Sequence, residues 1–460
     1  MICQAFDRVG RLNAFQRVML QWSELSPYNA VHAYKLAGPV DTRALHDAIC
    51  ETYDLCRIGI AEIDANADRV WYRHTRDASP TLEMVGGEGT AEQRLDARIA
   101  DEVNRPFDRP TCKPFRIGVV DGGPTSHYVT LTYDHWASDS ISARLLMRHV
   151  LGRYLGLDIP ENRESLDLYP GTYREVFPHQ LRGSRLAMPL LRSVRSWLRH
   201  RSARQTAYAS TAQMSVGYGH YLTQPGTVES LQQFARQNGA SVHDVFLAVL
   251  GSVMADFLPR RASKGGAIAL GTIVNTRADA DEDLSETLGT FLGYYVVRLA
   301  GDKSIGLAEL TRRIAGKTSK VKRQRSYLDA AVNFRVSSKI WPRLRPESRP
   351  HFARRALPLT AGITNVYLRN DWTTQYADGK ILDYRRAVSN GPTLPLVLSP
   401  TTFRNQLNIG VNYRETGFSR RRIDDIMSAF VGRLESLADG AKTVEKMPRR
   451  RREKSLTQSR

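Results

Sequence analysis

The sequence predicts a mixed α/β protein built as two halves joined by a basic crossover. Helix-like and strand-like patterns alternate along the chain without a repeating period. Apolar residues make up 42% and charged residues 25%, ordinary globular usage that excludes a disordered chain, a collagen-like repeat and a coiled-coil rod. Between Tyr169 and Gln205 the pattern decays into Pro/Gly/Arg-rich sequence and then resumes. At roughly 150 residues per domain, 460 residues amount to two or three units. The expected division is residues 1–178, a basic linker at 179–208, a second half at 209–440 and a disordered basic tail at 441–460.

The elements follow from local pattern. Leu12–Ser23 sets Phe15, Val18, Met19 and Trp22 on one helix face. Asn29–Leu36 alternates like a strand and stops at Gly38-Pro39. Asp41 reads as the N-cap of a helix carrying Ala44, Leu45, Ala48 and Ile49. Phe115–Val120 and Tyr128–Tyr133 read as paired strands about Asp121-Gly-Gly-Pro124, and Ser138–Tyr154 as the helix after them. Beyond the crossover, helices are predicted at Val228–Asn238 and Ser241–Leu258, the second with Ser241 and Asp244 as capping residues. Strands are predicted at Ala267–Val274, Leu292–Ala300, Leu394–Leu398 and Gln406–Tyr413, and a closing helix at Arg421–Ala438.

Charge is unevenly spread. Sixty-six Lys and Arg against 47 Asp and Glu give a formal net of +19. Seven arginines and no acid lie between Arg182 and Arg204, and eight basic against two acidic residues between Ala441 and Arg460. A positive field favours phosphates, acidic proteins, nucleic acid or a membrane surface without choosing among them. Leu186, Leu190, Leu191, Val194, Trp197 and Leu198 recur between the linker arginines, with Pro189 breaking the pattern. A basic amphipathic helix after that break could lie on an anionic membrane, dock an acidic carrier protein or the phosphates of coenzyme A, or simply be solvated. Arg449–Arg452 has no aromatic interleaving, so no nucleic-acid partner is expected.

Cys3, Cys50, Cys56 and Cys112 form no CxxC pair, and the first thirty residues show no apolar run with a cleavage site. Reduced thiols in the cytoplasm are the expectation, with residues 182–204 a candidate contact to the inner membrane face. The most apolar stretch, Val245–Leu258, falls short of the ~20 residues that span a bilayer.

Common chemical motifs are absent. Gly316-Lys317-Thr318 has Thr311 where a phosphate loop needs glycine, and Gly217-Tyr-Gly219 lacks a third glycine. There is no GxSxG and no HExxH, and the eleven histidines lack ligand spacing. What remains is Tyr133-Asp134-His135-Trp136-Ala137-Ser138-Asp139-Ser140, where a strand hands over to a helix. An imidazole with pKa near 6.5 suits deprotonation of an alcohol or amine near neutral pH. Spacing alone leaves two readings open: a poised base with an orienting Asp139, or an ordinary loop histidine followed by an N-cap.

This segment resembles the HHxxxDG motif of the condensation-domain and chloramphenicol-acetyltransferase superfamily. LNAFQRVMLQWSELSPYN, LAGPVDTRALHDAI, PFDRPTCKPFRIGVV, SVHDVFLAVLGSVMADF, TIVNTR with LGTFLGYYVVRL, and LNIGVNYRETGFSRRRIDDIMSAFVGRLESL resemble further family segments in the family's order. The likeness covers roughly residues 10 to 440. It implies two chloramphenicol-acetyltransferase-like subdomains arranged in a V with a central tunnel. It further implies His135 as general base, Asp139 as the mostly structural aspartate, and Arg277 of Asn275-Thr276-Arg277 as its salt-bridge partner. Asp134 and Ser140 stand in place of the motif's first histidine and its glycine, and Tyr294-Tyr295 where the family often has Asn-Thr. Ser138 and Trp136 beside His135, and Asn365 in GITNVYL, are candidate oxyanion or substrate contacts.

The implied activity is acyl transfer without a cofactor or metal. A thioester of coenzyme A or of carrier-protein phosphopantetheine is the donor, and a hydroxyl or amine on a small molecule or lipid the acceptor. A standalone chain is expected, because it ends soon after the last family helix, so an acyl or peptidyl carrier protein would come in trans. A monomer is expected because both halves lie in one chain. The alternative is an inactive module of the same fold that recruits a carrier protein or partner enzyme.

Overall fold

The computed structural model describes residues 8–64, 69–73, 82–159, 167–168, 176–177, 191–192, 194–195, 197–198, 202–210, 214–258, 266–300 and 305–445. The first half runs β1 (Arg8–Arg11), α1 (Ala14–Ser23), β2 (Asn29–Ala37), α2 (Thr42–Cys56), β3 (Ile60–Asp64), β4 (Arg69–Arg73), β5 (Leu82–Val85), α3 (Ala91–Glu102), β6 (Thr111–Cys112), β7 (Phe115–Asp121), β8 (Ser126–Asp134), α4 (Ser140–Tyr154) and β9 (Asp167–Leu168). The second runs β10 (Val216–Leu222), α5 (Thr227–Gln237), α6 (Val242–Phe257), β11 (Ile268–Asn275), β12 (Thr287–Leu288), β13 (Leu292–Leu299), α7 (Leu307–Arg323), α8 (Ala330–Ile340) and α9 (Arg349–Ala356). It continues through β14 (Ala361–Ile363), β15 (Val366–Tyr367), α10 (Trp372–Gln375), β16 (Ile381–Ala387), β17 (Leu396–Phe403), β18 (Gln406–Arg414) and α11 (Arg420–Glu445).

Local chemistry accounts for the helix starts. Asn13 and Gln16 form a reciprocal capping box at α1, and Ser241 with Asp244 forms one at α6. Asp41 caps α2 through Ala44 N–H. The predicted helix at Ser138 begins at Ser140, because Asp139 is its N-cap. The long apolar run of α6 is explained by burial: every residue from Asp244 to Gly251 is buried. Among the described residues, no single helix is long and apolar enough to cross a membrane, although α5 and α6 pass such a test as a pair bent by 95°.

Two sheets carry the fold. One has strand order β16-β2-β8-β7-β5, and the other β10-β18-β17-β14-β11-β13 with β15 on β17. The halves interlock. β16, from the second half, adds to the first sheet antiparallel to β2, from Ile381 opposite Leu36 to Ala387 opposite Val31. In return α1 packs on α8, with the Phe15 and Phe334 rings 4.4 Å apart. Pattern reading missed β16, whose central Tyr384, Arg385 and Arg386 are all buried, so no polar/apolar alternation marks it. Of the expected crossover helix, Leu191, Arg192, Val194, Arg195, Trp197 and Leu198 are helical; the rest of the crossover up to Arg201 and most of the expected tail lie outside the described residues, apart from Val176 and Phe177, and α11 runs to Glu445.

β18 passes under β16 at Gly410, where an added Cβ would collide with the Arg386 carbonyl oxygen and crowd the Ser399 hydroxyl. The colliding atom is backbone, so β16 itself would have to shift. Gly410→Ala is expected to cost about 1–3 kcal/mol, the usual penalty of overpacking, read as a lower urea midpoint.

Candidate active site

The loop between β8 and α4 is fixed before any chemistry is considered. His135 N–H donates to the Tyr28 carbonyl at 3.0 Å, and Ala137 N–H to the Asp134 carbonyl at 2.9 Å, closing a tight turn. Gln16 Nε2 and Thr290 Oγ1 both donate to the Trp136 carbonyl, at 2.9 and 3.0 Å. Asp139 N–H donates to the Gly289 carbonyl at 2.9 Å. Residues of α1's N-terminus and of the second half therefore hold a loop that belongs to the first.

Beneath the loop lies the buried pair expected from the resemblance. Arg277 Nη1 donates to Asp139 Oδ2 at 2.7 Å, with the side chains 7% and 1% exposed. The same oxygen accepts Phe291 N–H at 3.0 Å, while Oδ1 accepts the N–H groups of Ile141 and Ser142 at 3.0 and 2.8 Å. Arg277 also donates to the Ser142 hydroxyl at 2.6 Å, and its guanidinium lies 4.3 Å from the centre of the Phe291 ring. Asn275 accepts from Arg277's backbone N–H at 3.1 Å and from its Nη1 at 3.3 Å, so it shapes the turn that delivers the arginine. Burial alone would raise the Asp139 carboxyl. The Arg277 charge and the donated N–H groups outweigh it and hold the carboxyl below its ordinary 3.8.

His135 is half-buried between two tyrosines, its ring centre 5.4 Å from that of Tyr28 and 5.6 Å from that of Tyr133. Nδ1 is enclosed, although the residue as a whole is only half-buried. Burial lowers its pKa below 6.5, against the opposing pull of its own backbone, Asp139, Ser138 and Asp134. The ring is therefore neutral at pH 7. Asp134 does not act mainly on His135: its carboxylate is ion-paired with Arg109, and burial, only partly offset by Arg109, raises its pKa.

A second buried cluster adjoins the loop. His32 meets the hydroxyls of Tyr384 at 3.0 Å and of Tyr133 and Ser140 at 3.4 Å. Burial, then the charges of Arg386 and Arg144, push His32 well below its usual pKa. Arg386 is 1% exposed and donates to Thr401 Oγ1 at 3.1 Å and to the Thr364 carbonyl at 2.9 Å. His32, Tyr384 and Arg386, with Tyr28 and Arg109, were not picked out from sequence, since they come from three separate segments with no shared motif.

Ser138 and Trp136 are packed into the interior. Both are 0% exposed; the Ser138 hydroxyl donates to the Asp139 carbonyl at 3.0 Å, and the cap is Asp139. Neither side chain faces open space beside His135. Asn365 accepts from or opposes His243 Nδ1 at 2.6 Å through its Oδ1, and His243 Nε2 meets Thr272 Oγ1 at 3.1 Å, so its amide serves the second half. Ser140 carries no backbone strain: among the described residues, positive φ outside glycine is confined to Arg57, Arg325 and Arg404. Among the described residues, no group of three or more His, Cys, Asp or Glu is placed to hold a metal ion.

Two interlocked α/β halves, with a histidine loop braced by an Asp–Arg pair across them, define a chloramphenicol-acetyltransferase-like fold. The chain belongs to the condensation-domain family, whose sequence model matches residues 9–328. Solved structures agree. The first condensation domain of the CDA synthetase superposes with a TM-score of 0.68 at 14% identity, covering 94% of this chain and 97% of its own. SgcC5 from Streptomyces globisporus gives 0.65 at 15%, covering 93% and 98%. The condensation domain of the monacolin K polyketide synthase MokA gives 0.63 at 11%, covering 95% and 98%. No curated protein matches the sequence.

Removing one partner of a buried pair typically costs ~3–5 kcal/mol, and Asp139→Ala is expected to lose that much in urea unfolding. A depressed folded pKa means that the stabilisation is complete above the unfolded value and is lost as pH falls through the folded one. Wild type should therefore lose stability in acid more steeply than Asp139→Asn, measured by thermal unfolding from pH 6 downwards.

Proposed function

We propose that the protein is an acyltransferase that moves an acyl group from a coenzyme A or carrier-protein thioester to a hydroxyl or amine. The observation that carries this reading is His135: a half-buried imidazole with Nδ1 enclosed and a pKa lowered by burial, on a loop that three other segments immobilise. Nε2 takes the acceptor's proton as its oxygen or nitrogen bonds to the thioester carbonyl carbon. The tetrahedral intermediate then breaks its C–S bond, and the departing thiolate takes the proton from the imidazolium. Atoms and protons balance without another group. Asp139 and Arg277 position the loop and touch no reacting atom. A carrier protein or coenzyme A would bring the donor, and a small molecule or lipid would accept.

Thiol release from a panel of acyl-coenzyme A and acyl-carrier thioesters, with candidate alcohols and amines, tests the reading. His135→Ala, with folding checked by circular dichroism, is expected to lose at least ~10²-fold in acceptor-dependent release, the usual scale of general-base catalysis. The lowered His135 pKa predicts that kcat/KM is flat near pH 7 and falls on the acid side with a midpoint below 6.5.

One neighbour of the same fold supports a second reading. The X-domain of teicoplanin biosynthesis, solved in complex with OxyB, superposes with a TM-score of 0.55 at 18% identity. On that reading the chain recruits a partner. Carrier binding that survives His135→Ala, with no turnover by wild type, would favour it.

A further inference from the structure

A large concavity lies on the far side of α1 from the His135 loop. The β13 edge of its sheet, helices α7, α8 and α9, α1 and part of the crossover enclose a cavity of about 1130 Å³. Pockets for ordinary small molecules run about 300–1,000 Å³, so this one has room for a longer ligand. Its walls are mainly apolar, with Val321, Phe334, Val336, Ile340 and Leu357 among them. Val336 and Ile340 are 46% and 38% exposed, large apolar side chains left open to water.

The charges on the lining are one-sided. Among the described lining residues Arg192, Arg195, Arg298, Lys317, Lys320 and Arg355 stand against one carboxylate, Asp329. That carboxylate is already engaged: Arg192 donates to its two oxygens at 2.7 and 2.8 Å. The same ion pair pins the crossover to the second half, and Trp197 Nε1 adds a bond to the Arg355 carbonyl at 2.8 Å. Trp197 and Val194, 42% and 53% exposed, thus form an apolar flap beside a cationic rim. At its inner end the cavity reaches Trp22, whose ring is 5.7 Å from Tyr28, the ring that flanks His135. Tyr294 and Tyr295, the departures from family pattern noted in the sequence, are on its wall.

We infer that this groove takes the hydrocarbon chain of a long-chain acyl-coenzyme A, with the phosphates of the coenzyme on the basic rim. The apolar concavity matches a single chain and the uncompensated cations match phosphate, whereas a bilayer surface would call for a projecting apolar face. Coenzyme A as the carrier rests on the acyltransferase reading; the chain-and-phosphate recognition does not need turnover.

Binding tests it directly. Tryptophan fluorescence, from Trp22, Trp197 and Trp341 on the lining, would follow titration of the full chain with coenzyme A, acetyl-coenzyme A and monomeric palmitoyl-coenzyme A. Palmitoyl-coenzyme A is expected to bind at least tenfold more tightly than acetyl-coenzyme A. Ser337→Trp, at a partly exposed lining position, should abolish that preference. Arg195→Glu with Lys320→Glu, both exposed, should weaken all three ligands and flatten their salt dependence. Equal affinity for the two thioesters, a preference that Ser337→Trp leaves intact, or binding to phosphatidylglycerol vesicles with none to monomeric palmitoyl-coenzyme A would each overturn the inference. His135→Ala separates the two proposals. Chain-selective binding without turnover in wild type would leave the groove standing and remove the enzyme. Turnover of acetyl-coenzyme A without chain preference would do the reverse.

Discussion

Asp139 spends both carboxylate oxygens on four donors, two from its own helix and two from the other half of the molecule. Arg277 and Phe291 stand more than a hundred residues further along the chain, so the N-cap of α4 is also the rivet between halves. Ser142, one turn on, accepts from Gly289 N–H and donates to Gly289 carbonyl, both at 2.9 Å, which repeats the connection. A buried ion pair is a poor source of net stability, because desolvation consumes most of its Coulomb gain. Its value here is registry. It sets where α4 begins relative to the second half, and so where the preceding four residues, His135 among them, must lie.

The seam is reinforced by exchange of elements. β16 completes the first sheet from the second half, while α1 leaves the first half to pack on α8. Arg386 belongs to this seam. Its strand pairs with β2, yet its guanidinium reaches Thr401 on β17 and the Thr364 carbonyl. A buried guanidinium held by neutral acceptors is costly, and burial and the nearby Arg144 charge lower its pKa. Burial, and then the same positive charges, push His32 well below its usual pKa.

The two substitutions within the motif sit in ordinary backbone geometry. Asp134 turns its carboxylate to Arg109, on the segment that leads into β7, instead of facing the neighbouring imidazole. Ser140 occupies the first turn of α4 in backbone space open to any residue, with its hydroxyl toward His32. Tyr294 and Tyr295 lie elsewhere, where the edge strand β13 meets the apolar groove.

By itself the sequence determined the strongly periodic elements, their caps and the loop that carries His135. Each of these depends on residues a few positions apart: Asp41 with Ala44, Ser241 with Asp244, Asp139 with Ile141 and Ser142. The motif's likeness to a family added Arg277 as the partner of Asp139, which spacing could not have supplied. Only the tertiary structure decided what surrounds the base. Tyr28, Tyr133, His32, Tyr384 and Arg386 converge from strands distant in sequence, and β16 hides as a strand because both of its faces are covered. It also decided the burial of Ser138 and Trp136, which lie close to His135 in the chain. The reason is physical. Hydrogen bonds within a turn are written in adjacent residues, whereas burial, and with it pKa and access, is set by whatever the rest of the chain packs against them.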